Sequence, residues 1–134
     1  MAKQGGMGFS VAVDDSAGSA KTISNDITNL AYSTPRGVQV VTGVDLSAEE
    51  RLLLLADMSV TLNGVHNNAS NLSHAVFRTV PSSSVARTTT LTISSQVLAA
   101  ELLYSDYSTT RAADASLVWT APGVLQSGLV PTWA

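Results

Sequence analysis

The sequence predicts a mainly β domain of the α+β class, an antiparallel β-sandwich or barrel with one flanking α-helix. Two observations carry this prediction. Several short runs alternate apolar with polar side chains, as strands with one buried face do, most clearly at residues 58–63 and 87–93. One segment, residues 47–57, instead has the start signal and spacing of an amphipathic helix. With 134 residues, we expect one domain spanning 1–134, with a flexible arm at 1–8 and an irregular tail at 124–134.

The remaining strands follow from the same alternation. We expect strands at residues 9–13 and 38–42, one within 99–111, and a last one that stops at Pro122-Gly123. "KTISNDITNLAY" (21–32) fits two structures, because its isoleucines have helical spacing while its Thr and Ile content favours a strand. "LSHAVFRTVP" (72–81) indicates a short helix stopped at Pro81, and a strand remains possible there.

The predicted helix over 47–57 begins at Ser47. Glu50 lies three residues later, which gives the capping-box pattern at a helix N-terminus. Spacing of about 100° per residue puts a core-facing stripe on one side and Glu50, Arg51 and Asp57 on the other. The expected stripe is Ala48, Leu52, Leu55 and Ala56. Leu53 and Leu54 fall on or beside the polar side, where a helix packed only on its own sheet does not need them.

The charge content argues against several classes of function. Only 13% of residues are charged, the net charge is −3 and the sequence pI is about 5.1. The seven Lys and Arg residues are scattered singly, whereas tight nucleic-acid binding needs clustered cations. The chain has no cysteine, which excludes disulfides and thiolate metal sites. It also has no signal-peptide pattern or long apolar run, so we expect a soluble protein made in a cytoplasm.

No candidate active site emerges from the motifs. His66 and His74 are eight residues apart without accompanying carboxylates, which favours ordinary loop or surface histidines over metal ligands. No G-x-S-x-G elbow is present, and the acid pairs at 14–15 and 49–50 are typical of a turn and of a helix start. Tyr104, Tyr107 and Trp119 favour core packing over a stacking platform. We therefore expect no catalytic, cofactor-binding or metal-binding residue, no cofactor, and no enzymatic activity.

The order of segments resembles a known family over nearly the whole chain, from Met1 to about Gly128. A Gly-rich start, "MAKQGGMG", is followed by "VTGVDLSAEER" (41–51), "DYSTTRAA" (106–113) and "WTAPG" (119–123). In this order they resemble the short major tail (tail tube) proteins of long-tailed, siphovirus-type bacteriophages, particularly those that infect actinobacteria. The chain departs from the family at "ADAS" (113–116), where a glycine is expected in the turn before the last strand.

The resemblance implies a tail-tube β-sandwich that assembles into hexameric rings, which stack into the hollow conduit for the phage genome. The implied partners are further copies of the chain, the tape-measure, tail-terminator and baseplate or tail-tip proteins, and DNA in transient, non-specific passage; no membrane is implied. The protein is then located in the virion and assembled in the host cytoplasm. In that assembly we expect Leu53, Leu54 and Met58 at a subunit interface. The alternative is a non-enzymatic decoration, head–tail joining or carbohydrate-binding β-sandwich module.

Overall fold

A computed structural model describes residue 3 and residues 5–134 of the chain. In this range the main elements are strands, with one short α-helix and one 3-10 turn at Ser24–Asp26. The strands are β1 (Ser10–Asp14), β2 (Ala20–Thr22), β3 (Ile27–Ser33), β4 (Arg36–Val40), β5 (Arg51–Ala56), β6 (Ser59–Val65), β7 (Arg87–Ile93), β8 (Gln96–Tyr104), β9 (Ser108–Arg111) and β10 (Leu117–Leu125). The helix α1 spans Ser73–Phe77. This agrees with the predicted fold class.

Eight strands form one antiparallel sheet in the order β2-β1-β7-β8-β10-β6-β3, and β9 lies beside the first half of β10. The long strand β10 connects the two parts of the sheet, since residues 117–120 pair with β9 and residues 123–125 pair with β8. The other two strands, β4 and β5, pair only with each other. We call the eight-stranded sheet with α1 the body, and residues 36–56 the hairpin.

The body sheet curls until its two ends approach each other. The Ile23 N–H donates to the Val11 carbonyl over 3.0 Å, and the Val11 N–H donates to Ser24 Oγ over 2.8 Å. These bonds join β1, near one end of the strand order, to the turn that leads into β3 at the other end. The resulting sandwich encloses one apolar core, which contains Val11, Val13, Ile23, Met58, Val60, Leu62, Val76, Phe77, Leu91, Leu98, Leu102, Tyr104, Trp119 and Ala121.

Helix α1 and a buried arginine complete this core. Phe77 packs against Tyr104 and Trp119, with ring centroids 5.1 and 5.3 Å apart. Arg87, at the start of β7, donates from Nη1 to the Val76 carbonyl over 2.6 Å and to the Asp14 carbonyl over 3.2 Å. A buried charge needs such partners. Burial lowers the Arg87 pKa from its ordinary value. Arg87 thereby ties α1 to β1.

The β7–β8 and β9–β10 turns of the body adopt the left-handed backbone region without glycine. Ser94 and Ser95 have φ of 49° and 72° in the two-residue connection between β7 and β8, where positive φ suits the strand twist. Ala115, in the turn between β9 and β10, has φ of 72°. This is the turn in which the family resemblance led us to expect a glycine. Here an alanine adopts the conformation that glycine would adopt at lower cost.

The predicted helix over 47–57 is wrong. Residues 51–56 form strand β5, and Ser47 and Glu50 lie in the exposed loop that connects it to β4. The Glu50 N–H donates to Thr42 Oγ1 over 2.8 Å, so the residues of the supposed capping box belong to a β-hairpin. The predicted end of the last strand at Pro122-Gly123 is also wrong, because β10 continues to Leu125.

The short helix predicted near residues 72–81 is present as α1, and the segment 21–32, which fitted two structures, divides into β2, the 3-10 turn and β3. The predicted arm at 1–8 includes residues 1, 2 and 4, which lie outside the described residues. In the C-terminal tail, Trp133 pairs with Leu98 and the Ala134 N–H donates to the Val97 carbonyl over 2.8 Å. No helix in the described part of the chain has the length and hydropathy that crossing a bilayer requires.

Candidate subunit interface

The hairpin exposes an unusual density of large apolar side chains. Neither of its strands contains a buried residue. Its exposed apolar residues are Val38, Val40, Val41, Val44, Leu46, Leu52, Leu53, Leu54 and Leu55. Large contiguous apolar surface on a monomer marks an interaction site, because it remains in water unless another molecule covers it.

Both faces of the hairpin are apolar. In an antiparallel pair, directly opposed residues lie on the same face, and Val38 opposes Leu53. Alternation along β4 adds Val40 to this first face, while the register shift between Arg36 and Val38 interrupts the alternation of β5 after Leu53. Leu52 and Leu54 lie on the second face. A two-stranded ribbon with both faces apolar can pack between two neighbours.

Local hydrogen bonds give the hairpin its shape. The Arg36 Nε donates to the Leu54 carbonyl over 2.8 Å, and the Val41 N–H donates to the Glu50 carbonyl over 2.9 Å. At the base, the Asp57 N–H donates to the Pro35 carbonyl over 3.0 Å, which continues the β3–β6 ladder into the hairpin. Arg51 pairs with Glu49 beside the loop. All of these partners are within the hairpin and its root.

The three residues predicted at the interface differ in their exposure to solvent. Leu53 and Leu54 are 60% and 44% exposed, so they remain available to a partner. Met58 is 0% exposed and belongs to the core of the body, so we leave it out of the proposed interface. Leu52 and Leu55 were expected to anchor a helix to its own sheet, but they are 54% and 90% exposed. The patch is therefore broader than the two leucines that helical geometry singled out.

A second feature is an uncharged face on the body. Strands β9, β10, β6 and β3 lie side by side, and their registers identify the side chains that point away from the core. This neutral face consists of Asn29, Ala31, Ser33, Ser59, Thr61, Asn63, Val65, Ser108, Thr110, Val118, Thr120, Pro122 and Val124, none of which is ionisable. Thr120 Oγ1 donates to Asn63 Oδ1 over 2.8 Å across this face.

This four-stranded part of the sheet also ends in two unpaired edges. One edge is β3 and the other is β9, since each has only one neighbouring strand in the described structure. Unpaired strand edges present free N–H and C=O groups that can pair with another chain. Further copies of the chain can therefore extend this four-stranded part of the sheet at both edges by strand pairing.

The two histidines, which sequence reasoning assigned to loop or surface positions, are close in space. Their ring centroids are 4.8 Å apart, and His74 Nδ1 lies 3.1 Å from the Tyr107 hydroxyl. Burial, with smaller contributions from His66 and Arg78, lowers the His74 pKa from its ordinary value. His66 Nδ1 is buried without a hydrogen-bond partner. The eight-residue spacing gave no sign of this contact, because loop 66–72 and α1 bring the two rings together.

The described residues contain no group of three or more His, Cys, Asp or Glu side chains that could hold a metal ion. The nearby Asp26 carboxylate is occupied by Asn67 Nδ2 at 2.9 Å and the Ser73 N–H at 3.0 Å. Trp119 is buried and Tyr107 stacks on Phe77 with centroids 5.6 Å apart. These aromatic side chains therefore belong to the core and its margin.

The chain folds as a curled antiparallel β-sandwich with a two-stranded hairpin outside its main sheet, and solved structures share this fold. No family model and no curated protein matches the chain. A chain from the tail of an empty gene transfer agent particle with C6 symmetry matches with a TM-score of 0.78 and 13% identity, over 98% of both chains. A chain from the virion of a native gene transfer agent particle matches with a TM-score of 0.78 and 14% identity, over 97% of this chain and 99% of the other. At these identities the likeness establishes the fold.

Proposed function

We propose that this chain is a non-enzymatic structural protein of a phage-type virion, the major tail protein of a siphovirus-type tail. Its copies assemble into hexameric rings, and the rings stack into the tube through which the genome is delivered. The observation that carries the proposal is the hairpin, whose two apolar faces have no cover among the residues that the structure describes. The likeness in fold to chains of a tail with C6 symmetry supports the choice of six copies in a ring.

The sheet edges supply the lateral contacts in this proposal. The β3 edge of one copy pairs with the β9 edge of the next, so that the four-stranded parts join into a closed barrel. Closure around a ring removes every free edge of these parts, which otherwise invite uncontrolled pairing. The joined sheets then present the neutral face as a continuous wall.

We assign that neutral face to the lumen. A wall that lets DNA pass must not hold phosphates by clustered cations, and it benefits from having few charges to repel them. The face offers Ser, Thr and Asn with small apolar residues, and no ionisable group. In the virion, the same rings would meet the tape-measure protein inside and the tail-terminator and tail-tip proteins at the ends of the tube. The tail would be assembled in the host cytoplasm.

Imaging tests the proposal. Purified protein should form rings or tubes visible by electron microscopy, with six-fold averages. Burying one leucine contributes ~1.5–3 kcal/mol, and the contact recurs in every copy, so Leu53→Asp and Leu54→Asp should abolish assembly. Both variants should keep the far-ultraviolet circular dichroism of the parent chain, because neither side chain is in the core. Val85→Asp, at an exposed apolar residue outside the hairpin, is the matched control and should assemble.

A chain that stays monomeric under all assembly conditions, alone or with other virion proteins, contradicts the proposal. Specific binding of a glycan or of capsid protein by that monomer would favour the binding-module alternative. Normal tubes from Leu53→Asp would support the proposed tube function. They would also show that the hairpin does not contribute to the contacts between copies.

A further inference from the structure

The rings of His66 and His74 have the separation of two imidazoles that share one metal ion. His66 directly follows β6, His74 lies in α1, and both side chains are partly accessible to solvent. Their ring centroids are 4.8 Å apart, and the ring planes are tilted by 49°. A metal ion that binds two imidazole nitrogens at about 2.0–2.1 Å, with about 90–110° between the bonds, places the centroids about 4.5–5.2 Å apart. The observed separation falls within this range.

Each of the two rings has a nitrogen that can act as a ligand. His66 Nδ1 is buried and has no hydrogen-bond partner among the described residues, which costs free energy that a bound cation would recover. His74 Nδ1 lies 3.1 Å from the Tyr107 hydroxyl. When that nitrogen carries the proton and donates to the hydroxyl, Nε2 keeps the lone pair that a metal needs. Histidines that bind metals are commonly oriented by such a hydrogen bond from their second ring nitrogen.

We propose that His66 and His74 bind one divalent ion of a late first-row transition metal, with His66 Nδ1 and His74 Nε2 as the ligands. Imidazole nitrogen suits Zn²⁺, Ni²⁺ and Cu²⁺. No group of three or more His, Cys, Asp or Glu side chains is found there among the described residues, so water completes the coordination. We therefore expect weaker binding than at a structural zinc site with four protein ligands.

This inference does not rest on the proposed function. It departs from the expectation that the chain has no metal-binding residue, because that expectation depended on the spacing of the two histidines along the sequence. The loop at 66–72 and α1 bring the rings together in a way that the spacing does not indicate.

Two charged neighbours act on this site in opposite directions. Burial is the main cause of the lowered His74 pKa, and Arg78 is a smaller one, so Arg78 opposes a bound cation. Burial raises the Tyr107 pKa and the Asp26 carboxylate adds to this effect, so that carboxylate favours a cation nearby. The Asp26 oxygens already accept hydrogen bonds from other groups, and Asp26 therefore acts on the ion through its charge.

Metal binding at this pair can be measured directly, because the chain has two histidines and no cysteine. We would prepare the unassembled chain without a histidine tag, remove metal with a chelator, and titrate zinc chloride or nickel chloride by calorimetry. One ion per chain is expected, with a rise in Tm that the chelator reverses. With copper chloride, electron paramagnetic resonance should show two imidazole nitrogens on the ion, which only His66 and His74 together can supply.

Substitutions separate the loss of a ligand from the loss of the fold. His66→Gln and His74→Gln should each weaken Zn²⁺ binding by about tenfold or more, with unchanged circular dichroism. Tyr107→Phe keeps the ring stacked on Phe77 and removes only the hydroxyl that orients His74. It should weaken binding less, and the copper spectrum should still show two nitrogens.

Arg78→Gln should strengthen Zn²⁺ binding by about twofold at low salt, because it removes a repelling charge. General disruption of the site would weaken binding instead. Arg51→Gln is the matched control, since it removes the same charge from the hairpin, beyond the other end of β6, and should leave the affinity unchanged.

Three results would each overturn the metal site. The first is the absence of binding of Zn²⁺, Ni²⁺ and Cu²⁺ at millimolar concentration. The second is binding that neither histidine variant weakens, because the ion then lies on carboxylates elsewhere. The third is a copper spectrum with a single nitrogen, and this result decides the question from the parent chain alone if the variants do not fold. None of these results bears on whether the chain forms tubes.

Discussion

Strands β5 and β6 follow each other with only two residues between them, yet they belong to two physically different regions. β6 buries every second residue and places Val60 and Leu62 in the core of the body. β5 consists of four leucines between Arg51 and Ala56 and buries none of them. Apolar content alone therefore does not determine which segment is a core strand. What differs is whether the same chain supplies a second layer to cover it.

The comparison separates the part of the chain that has its own core from the part that we propose to be the interface. The body has its core and its buried Arg87 network within one copy, and each of its strands pairs with at least one other strand of the body. The hairpin has only its own ladder, and an isolated two-stranded hairpin is marginally stable in water. The body is thus expected to fold as a monomer, and the hairpin to gain most of its stability from other copies.

Hydrogen exchange provides the largest expected contrast between the regions. Amides of β4 and β5 in the unassembled chain should exchange at least a hundredfold faster than those of β7 and β8, because local opening of a hairpin without a core costs little free energy. Mass spectrometry of exchanged peptides measures the difference. In tubes the hairpin amides should become protected. Equal protection in the unassembled chain would contradict the separation of the two regions.

Matched leucine truncations come next in size. Leu62→Ala should lower the free energy of unfolding of the unassembled chain by about 3 kcal/mol, since it creates a cavity in the core. Leu53→Ala should change it by less than ~0.5 kcal/mol, because the side chain is exposed. Urea unfolding followed by circular dichroism measures both values. The order of the two variants should reverse for assembly. Among the variants that fold, Leu53→Ala should lower the fraction of protein in tubes more than Leu62→Ala does.

The sequence identifies the body well because its strands have one buried face. Alternation predicted β6 and β7, and the signals around Pro81 predicted the helix that became α1. Alternation cannot describe β5, since a run of four leucines has no period, and the Ser47 to Glu50 pattern then favoured a helix. Pairing with β4 overrides that local preference.

The interface residues stay a prediction, but their exposure can be compared with the sequence. Leu53 and Leu54 were selected because helical geometry left them without a core, and both are exposed, although in a strand. Met58 was expected at the interface as well, but it lies just before β6 and belongs to the core. The contact between His66 and His74 depends on how loop 66–72 folds back, which no local pattern encodes.

The contact between His66 and His74 should make the stability of the body depend on pH, and the hairpin should not share this dependence. Burial lowers the His74 pKa below the ordinary value of 6.5, so the folded state binds its proton less readily than the unfolded chain. This contribution to stability is fully present above about pH 6.5 and is lost as the pH falls toward the lowered pKa. The Tm should therefore fall less between pH 7 and pH 5 for His74→Gln than for the parent chain.

Further measurements identify which groups cause this change of Tm with pH. Arg78 and His66 are the cationic groups acting on His74, so His66→Gln should remove a smaller part of the Tm change. The neighbouring Tyr107 stays neutral in this range, since burial raises its pKa. Hairpin exchange rates, corrected for intrinsic pH effects, should not follow this transition. An identical Tm change in His74→Gln would exclude His74 as its source.

The smallest expected effect is at Ala115, in the turn of the body between β9 and β10. Its φ of 72° costs an alanine about 1 kcal/mol, which Ala115→Gly relieves, while the greater freedom of glycine in the unfolded chain offsets part of the gain. We expect a net stabilisation of ~0.5 kcal/mol, measured by urea unfolding. Ala113→Gly, in the same turn without positive φ, is the control and should destabilise by a similar amount. If Ala115→Gly instead weakens tube formation while stabilising the unassembled chain, the alanine methyl contributes to the contact between copies.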